Sequence, residues 1–422
     1  MNKWMRLCSA GLLTFAAGAA DAECASGVYG NRDKERVVIT NPVGAGAKTR
    51  YTFIDGRKGD VNAEGGLVEC ENDQVSVKDA DGRFAAWNRV KIRETPVHFT
   101  SHDTKLSGVL MEAEHPGRKP PLVVFVHGSE RWPAIGFYYP YVLAAQGLSV
   151  LVYDKRGTGS SEGEYTQNFE LLADDATAAL DEARRVAAGR YSRAGYFGGS
   201  QGGWVAPLAA KRAHADFVAV GFGLVMTPLD EDREQVFKEL REKHADDVTL
   251  AHAREVTDAT GVVMASHFVS GYDQLARVKN RYGSEQWFKD IHGEFTGRLL
   301  HEDEADLRRT GAARMDNLNI LWRYDAVAAI RSLDIPQLWV IAGEDREAPG
   351  KVTRERLAGM VRDGKRIDLY VFPHTDHGIY EFTEDADGKR VLTRVADGYF
   401  RLLGDWIKQE IRPPYGRAEQ IH

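Results

Sequence analysis

The 422-residue chain has three cysteines, Cys8, Cys24 and Cys70, each standing alone. No Cys-x-x-Cys pair exists, which excludes a zinc site built from paired cysteines. His244, His252, His267 and His292 have no partner three or four positions away, and no H-E-x-x-H helix occurs. No metal is therefore expected. Lys and Arg total 55 against 62 Asp and Glu, a formal net charge of −7. Without a basic surplus or a polybasic tract, neither nucleic acid nor an anionic membrane is an expected partner. There is no G-x-G-x-x-G unit and no P-loop, so no nucleotide cofactor is implied and no cofactor is expected. Beyond the N-terminus, no apolar run approaches the ~18 residues of a membrane span.

What is present is globular: 43% hydrophobic and 28% charged residues over a length that predicts two or three domains. Lys3 and Arg6 precede an uncharged apolar stretch, residues 7–20, that is too short for a stop-transfer helix. Ala20-Asp21-Ala22 offers small residues where a signal peptidase reads. Residues 1–22 are expected to be a cleaved secretory signal, and the protein to be periplasmic or secreted, with no membrane contact in its mature form. Cleavage removes Cys8 and leaves Cys24 and Cys70 in an oxidising compartment, where a bridge between them is expected. Such a bridge stabilises the fold by roughly 3–4 kcal/mol in the chain-entropy treatment.

Residues 23–95 alternate short β-rich runs (37–39, 51–54, 67–68, 75–77) with turn signals such as Asp55-Gly56 and Asp81-Gly82. They predict a small β domain. From residue 96 the pattern changes to near-continuous apolar runs at 122–126, 149–153, 195–197, 217–222, 337–342 and 367–372. Runs of this kind are buried on both faces, as in a parallel sheet. Helical segments at 139–146, 169–188 and 201–213 separate the first four, which implies βαβ units in a doubly wound, mostly parallel sheet. About 100 charged, helix-patterned residues, 228–333, then interrupt the alternation. They are expected to form a helical cap over an α/β core of residues 96–227 and 334–422.

Gly198-Gly199-Ser200-Gln201-Gly202-Gly203 follows a predicted strand and opens a predicted helix, the context a G-x-S-x-G nucleophile turn requires. Ser200 would project from that turn, and the glycines on either side leave room for strand and helix to approach closely. His127-Gly128-Ser129 follows an earlier strand. The N–H groups of Ser129 and Gln201 are the candidate oxyanion donors, with Glu130 as a competitor for the first. His127 itself reads as structural. After the last two predicted strands come Glu344-Asp345-Arg346-Glu347 and His374-Thr375-Asp376-His377-Gly378. His377 is the candidate base and Asp345 its orienting acid, with His374, Glu344 and Glu347 as competitors. Trp132 and Trp204 lie beside these segments as candidate pocket walls, although core packing is the commoner fate of a tryptophan. His301-Glu302-Asp303-Glu304 reads as a solvated helical face.

The order Ser200, Asp345, His377, each after a strand, resembles the α/β-hydrolase superfamily over residues 96–410. Asp154-Lys155-Arg156-Gly157-Thr158-Gly159-Ser160-Ser161 is similar to that superfamily's D-x-R-G-x-G-x-S loop and reads as a scaffold. Together with the cap, the signal and the β domain, the chain resembles bacterial secreted serine carboxylesterases. The resemblance implies a small-molecule ester substrate cleaved through an acyl-enzyme. Two rivals remain: a serine aminopeptidase or dipeptidase on the same fold, and a non-catalytic binding module. The oligomeric state is not legible.

Overall fold

The computed structural model describes residues 24–41, 48–113 and 118–422. The expected signal, with Cys8 and the cleavage point after Ala22, lies outside the described residues. Among those residues, no helix is long and apolar enough to cross a membrane.

The described residues up to Arg89 fold into a seven-stranded antiparallel sheet. Its strands are β1 (Gly27–Gly30), β2 (Arg36–Thr40), β3 (Arg50–Phe53), β4 (Lys58–Asp60), β5 (Val68–Glu71), β6 (Gln74–Lys78) and β7 (Phe84–Arg89), in the order β4-β3-β2-β1-β7-β6-β5. The four β-rich runs of the sequence fall at β2, β3, β5 and β6. The strands β1, β4 and β7 had no comparable signal; β4, for one, is Lys-Gly-Asp. Alternation along β2 sorts the side chains. Val37 and Ile39 join Tyr51, Phe53, Val75 and Trp87 in a core of the module's own, while Val38 and Val28 pack with Tyr139 and Val142. Cys24 and Cys70 lie in that first core and are bridged, with Cα atoms 5.8 Å apart.

The second sheet has nine strands. They are β8 (Ile92–Ser101), β9 (Thr104–Ala113), β10 (Leu122–Val126), β11 (Ser149–Tyr153), β12 (Ala194–Gly199), β13 (Phe217–Gly221), β14 (Gln337–Ala342), β15 (Ile367–Phe372) and, at the far edge, β19 (Glu419–Ile421). The order is β19-β15-β14-β13-β12-β10-β11-β9-β8, and the six central strands from β11 to β15 run parallel. Residues of β10, β11 and β13 are buried throughout, as their unbroken apolar runs require. A separate antiparallel sheet, β16 (Thr375–Asp376), β17 (Tyr380–Glu384) and β18 (Arg390–Val395), follows β15.

In the first half of the core, α1 (Tyr138–Ala145), α2 (Phe169–Val186) and α3 (Gly202–Arg212) pack against this sheet. The side chain of Asn168 caps α2 by accepting from the Leu171 N–H, and Arg184 and Arg185 in the last turn face the negative end of the helix dipole. Pro207 is the sixth residue of α3. There it costs α3 one hydrogen bond to the Gly203 carbonyl. Between β13 and β14 run α4 (Pro228–Glu242), α5 (Asp247–Ala265), α6 (Tyr272–Tyr282) and shorter helices. They bury a core of their own around Phe237, Val256, Leu275 and Trp322. Asp232 of α4 accepts from the N–H groups of Phe295 and Thr296 and from the Thr296 hydroxyl, which ties the insertion together. The last helices are α7 (Lys351–Arg362) and α8 (Tyr399–Lys408).

The strand order reverses at β10, whose neighbours are β11 on one side and β12 on the other. In open α/β sheets a crevice forms outside the strand C-termini at such a point. Ser129 and Ser200 sit on the loops that leave β10 and β12.

Candidate functional site

Ser200 occupies the turn between β12 and α3 with φ +53°, the left-handed region that a non-glycine residue enters only under constraint. The turn is tight because its flanking glycines carry no side chain. A Cβ on Gly198 would lie 2.4 Å from the Gly202 carbonyl oxygen, and one on Gly202 would lie 2.4 Å from the Val126 oxygen. The Ser200 N–H donates to the Gly221 carbonyl at 3.1 Å. With the backbone pinned, Oγ points into the crevice.

The three residues singled out after separate strands meet there. Ser200 Oγ is 3.1 Å from His377 Nε2, and His377 Nδ1 is 2.9 Å from Asp345 Oδ2. Asp345 is 3% exposed, and its other oxygen accepts the Ala348 N–H at 2.7 Å. The His377 ring stands edge-on to Phe222, ring centres 5.1 Å apart. Of the competitors, His374 and Glu344 pair with each other at 2.7 Å on the exposed side. Glu347 takes neither candidate role, but its Oε1 stands 3.7 Å from His377 Nε2.

The backbone around Ser200 offers two donors. Among the described residues, neither the Ser129 N–H nor the Gln201 N–H is spent on a hydrogen bond, and both residues line a cavity with Ser200. The Gln201 N–H stands at the start of α3, where helix N–H groups have no intrahelical partner. The Ser129 N–H is aimed by its own peptide. Lys155 is 3% exposed, and its Nζ donates to the Gly128 carbonyl at 2.5 Å. In a trans peptide the carbonyl and the following N–H point in opposite directions. Holding the Gly128 oxygen toward Lys155 therefore turns the Ser129 N–H away from it. The Tyr165 hydroxyl donates to the Ser129 carbonyl and fixes the next peptide. Burial pulls the Lys155 ammonium down to about 8, with Glu130 opposing.

The rest of the Asp154–Ser161 loop is a scaffold, as its sequence suggested. Asp154 accepts from the N–H groups of Ile135 and Ser160, and Arg156 grips Asp175 of α2 through two buried hydrogen bonds. Sequence reasoning passed over Asp376 and Arg390. Asp376 accepts from the His377 and Arg346 N–H groups and from Arg390, which also donates to the Glu344 carbonyl. These bonds fasten the His377 loop to the Asp345 loop. No sequence signal marked them, because Arg390 comes from β18, whose pairing the apolar pattern did not show.

Two cavities open on Ser200. The smaller, about 100 Å³, lies toward the insertion and is lined by Trp204, Glu231, Glu294 and Glu347. The larger, about 1020 Å³, is lined by Trp132, His127, His377 and Tyr380, and also by residues of the N-terminal module. Trp132 is 57% exposed at its rim. Trp204 is buried and donates to the Met226 carbonyl, so it serves as core and as wall at once. His127 is buried, with its Nδ1 3.6 Å from Glu130 Oε2. His301 stands away from both cavities, while Glu302 pairs with Arg314 and Asp303 caps the next helix.

A family profile described as the alpha/beta hydrolase family matches residues 123–391, more than half of the chain. No curated protein matches it. Among solved structures, an esterase of Pyrococcus furiosus aligns with a TM-score of 0.41 at 17% identity, over 68% of this chain and 84% of that one. Est1E of Butyrivibrio proteoclasticus, solved with ferulic acid, aligns at 0.40 and 16%, over 74% and 96%. An acylaminoacyl peptidase of Pyrococcus horikoshii aligns at 0.42 and 14%, over 85% of this chain but 52% of its own. Similarity at this level says nothing about substrate.

Burial lowers the basicity of His377, but the Asp345 charge and hydrogen bond, then Glu347 and Glu231, outweigh it and raise the ring to about 9. If His377 serves as the base for Ser200, the ring must be neutral to accept the proton. Hydrolysis of an uncharged substrate should therefore rise with pH along a limb centred near 9 and fall as the ring protonates below it. Glu347→Gln removes one of the raising charges, so the limb in kcat/KM should move to lower pH. A limb that stays in place would show that Glu347 has no influence on the ring.

Proposed function

Since the chain belongs to the alpha/beta hydrolase family, we propose that it is a secreted or periplasmic serine hydrolase cleaving carboxylic esters through Ser200, His377 and Asp345. The observation that carries this reading is the unbroken line of hydrogen bonds from Asp345 through His377 to Ser200, at the sheet's switch point. The Cys24–Cys70 bridge and the N-terminal apolar stretch support export.

Ser200 Oγ attacks the ester carbonyl while His377 Nε2 takes its proton. Asp345 keeps the proton of the other ring nitrogen in place and stabilises the imidazolium. The carbonyl oxygen becomes an oxyanion that accepts from the Ser129 and Gln201 N–H groups. The tetrahedral intermediate collapses, the C–O bond to the alcohol breaks, and His377 hands that alcohol its proton. Water then attacks the acyl-enzyme, again losing its proton to His377, and the acid leaves as Ser200 is restored.

One observation favours a second reading, in which the scissile bond belongs to an amine-bearing peptide or amino-acid derivative. Glu231, Glu294 and Glu347 line the small cavity beside Ser200. Burial and then the neighbouring Glu294 push Glu231 up to about 8, a strain that an ammonium group would relieve. Rates on an aryl ester and on an aminoacyl anilide separate the two readings. The ester reading predicts the larger kcat/KM on the ester across acyl groups without an amine.

Ser200→Ala should lower turnover by roughly 10⁴-fold or more while leaving the melting temperature near that of the parent. Near-parental turnover in folded Ser200→Ala protein would contradict the mechanism. Lys155→Met frees the Gly128–Ser129 peptide to rotate, and kcat should fall by roughly 10- to 100-fold with little change in KM. A rise in KM at unchanged kcat would remove Lys155 from the oxyanion machinery.

A further inference from the structure

The larger cavity has a wall that the hydrolase core does not supply. Asn41, Arg50, Thr52 and Lys58, all from the N-terminal β module, line it together with Ser200 and His377. The module reaches this position because it is docked twice. Val38 of β2 packs among α1 residues. On the other flank the Val395 N–H donates to the Gly56 carbonyl, and Arg394 donates to the Asp55 carbonyl. A Cβ on Gly56 would lie 2.0 Å from the Val395 oxygen, so only glycine permits this approach. The β3–β4 hairpin that carries Arg50 and Lys58 thus leans against the β17–β18 hairpin that follows His377.

The charge on this wall is unusual. Lys58 Nζ lies 3.7 Å from the centre of the Tyr380 ring, three residues past His377 in sequence. Among the described residues, no carboxylate lies within ion-pairing distance of Lys58, whereas Arg50 has Asp60 at 3.6 Å. Burial, with the Arg50 guanidinium adding repulsion, lowers the Lys58 ammonium to about 8. Two cations of like sign therefore sit together at the edge of a cavity, one of them without an anion. An unpaired, partly desolvated ammonium is costly unless something negative arrives. The Tyr380 ring offers a cation–π contact, and its hydroxyl is tied to Tyr138 at 3.0 Å, so the platform under Lys58 is fixed.

We propose that Lys58 and Arg50 form a subsite for a carboxylate on the substrate, remote from the scissile ester, so that the N-terminal module selects acidic esters. The proposal rests on the ester-hydrolase reading. The cavity of about 1020 Å³ has room for an acyl or alcohol portion extending from Ser200 to the module. Thr52 lines the same wall beside the two cations, as does Asn41, whose side chain is held by Cys24 and Thr49.

The experiment compares two p-nitrophenyl esters of equal chain length, one with a terminal carboxylate and one with a terminal carboxamide. The wild-type protein should prefer the carboxylate ester in kcat/KM by roughly tenfold or more, the scale of one charge-assisted hydrogen bond. Lys58→Met should erase most of that preference, and Lys58→Arg should retain it. A wild-type protein with no preference overturns the subsite by itself, whether or not the methionine variant folds. Equal losses on both esters in Lys58→Met would also overturn it, and would leave Lys58 as a prop for the Tyr380 platform. Binding of the matching dicarboxylate to Ser200→Ala protein, measured by calorimetry, distinguishes failure of the subsite from failure of the hydrolase reading. If neither ester turns over but the dicarboxylate binds and Lys58→Met abolishes binding, the hydrolase reading fails and the subsite stands. If both esters turn over but the dicarboxylate does not bind, the subsite fails alone.

Discussion

Everything in this site depends on how closely the end of β12 approaches the start of α3. Gly198 and Gly202 allow backbones to meet where any Cβ would overlap a carbonyl oxygen. The same closeness forces Ser200 to φ +53° and lifts its hydroxyl out of the sheet. It also leaves the Gln201 N–H at a helix start with no partner among the described residues. A looser turn would let Ser200 relax and would move Oγ relative to His377, which is fixed from a different strand. The strain is held by surroundings that are themselves rigid: buried parallel strands on both sides, and the Ser200 N–H bonded to β13.

Around that fixed point the electrostatics are divided. The side toward the helical insertion is acidic, with Glu231, Glu294 and Glu347, and it makes His377 a stronger base than burial alone would allow. The wall supplied by the N-terminal sheet is basic, with Arg50 and Lys58, while Glu130 and Glu347 line the same cavity nearer Ser200. Under the proposed reading, a substrate extending from Ser200 toward the module would pass from the carboxylates near His377 to the two cations of the module wall. The division arises from topology, since the insertion follows β13 and the N-terminal module precedes the whole core. Both are brought to the C-terminal ends of the strands, where loops rather than packed strands meet the ligand.

The parts of this arrangement that were legible in the sequence share a physical cause. Strands buried on both faces must be apolar throughout, so β10 to β15 stood out. A nucleophile turn needs small residues at fixed offsets, so Ser200 stood out. His377 and Asp345 were found by their position after strands already recognised. The bridge followed from there being two cysteines left after the expected cleavage. The remainder depended on contacts between segments far apart in the chain. Nothing local marks Lys155 as the residue beneath the Gly128 carbonyl, or Arg390 as the clamp on Asp376. The strand β4 has no apolar residue, and β17 and β18 are half-exposed, so neither showed the pattern of a buried strand. The docking of the module, and with it the basic wall, rests on Val38 and Gly56, whose partners lie about 100 and more than 300 residues away.

The central claim is that Ser200 carries a hydroxyl activated by His377 and Asp345. A fluorophosphonate probe tests it, because an activated oxygen displaces fluoride and stays bonded to phosphorus, whereas ordinary serines do not react. The protein is labelled, digested, and the modified peptide located by mass spectrometry. One modified residue is expected, Ser200, with labelling that slows sharply in Asp345→Asn protein. No labelling of folded protein, or a label on any other residue, would contradict it.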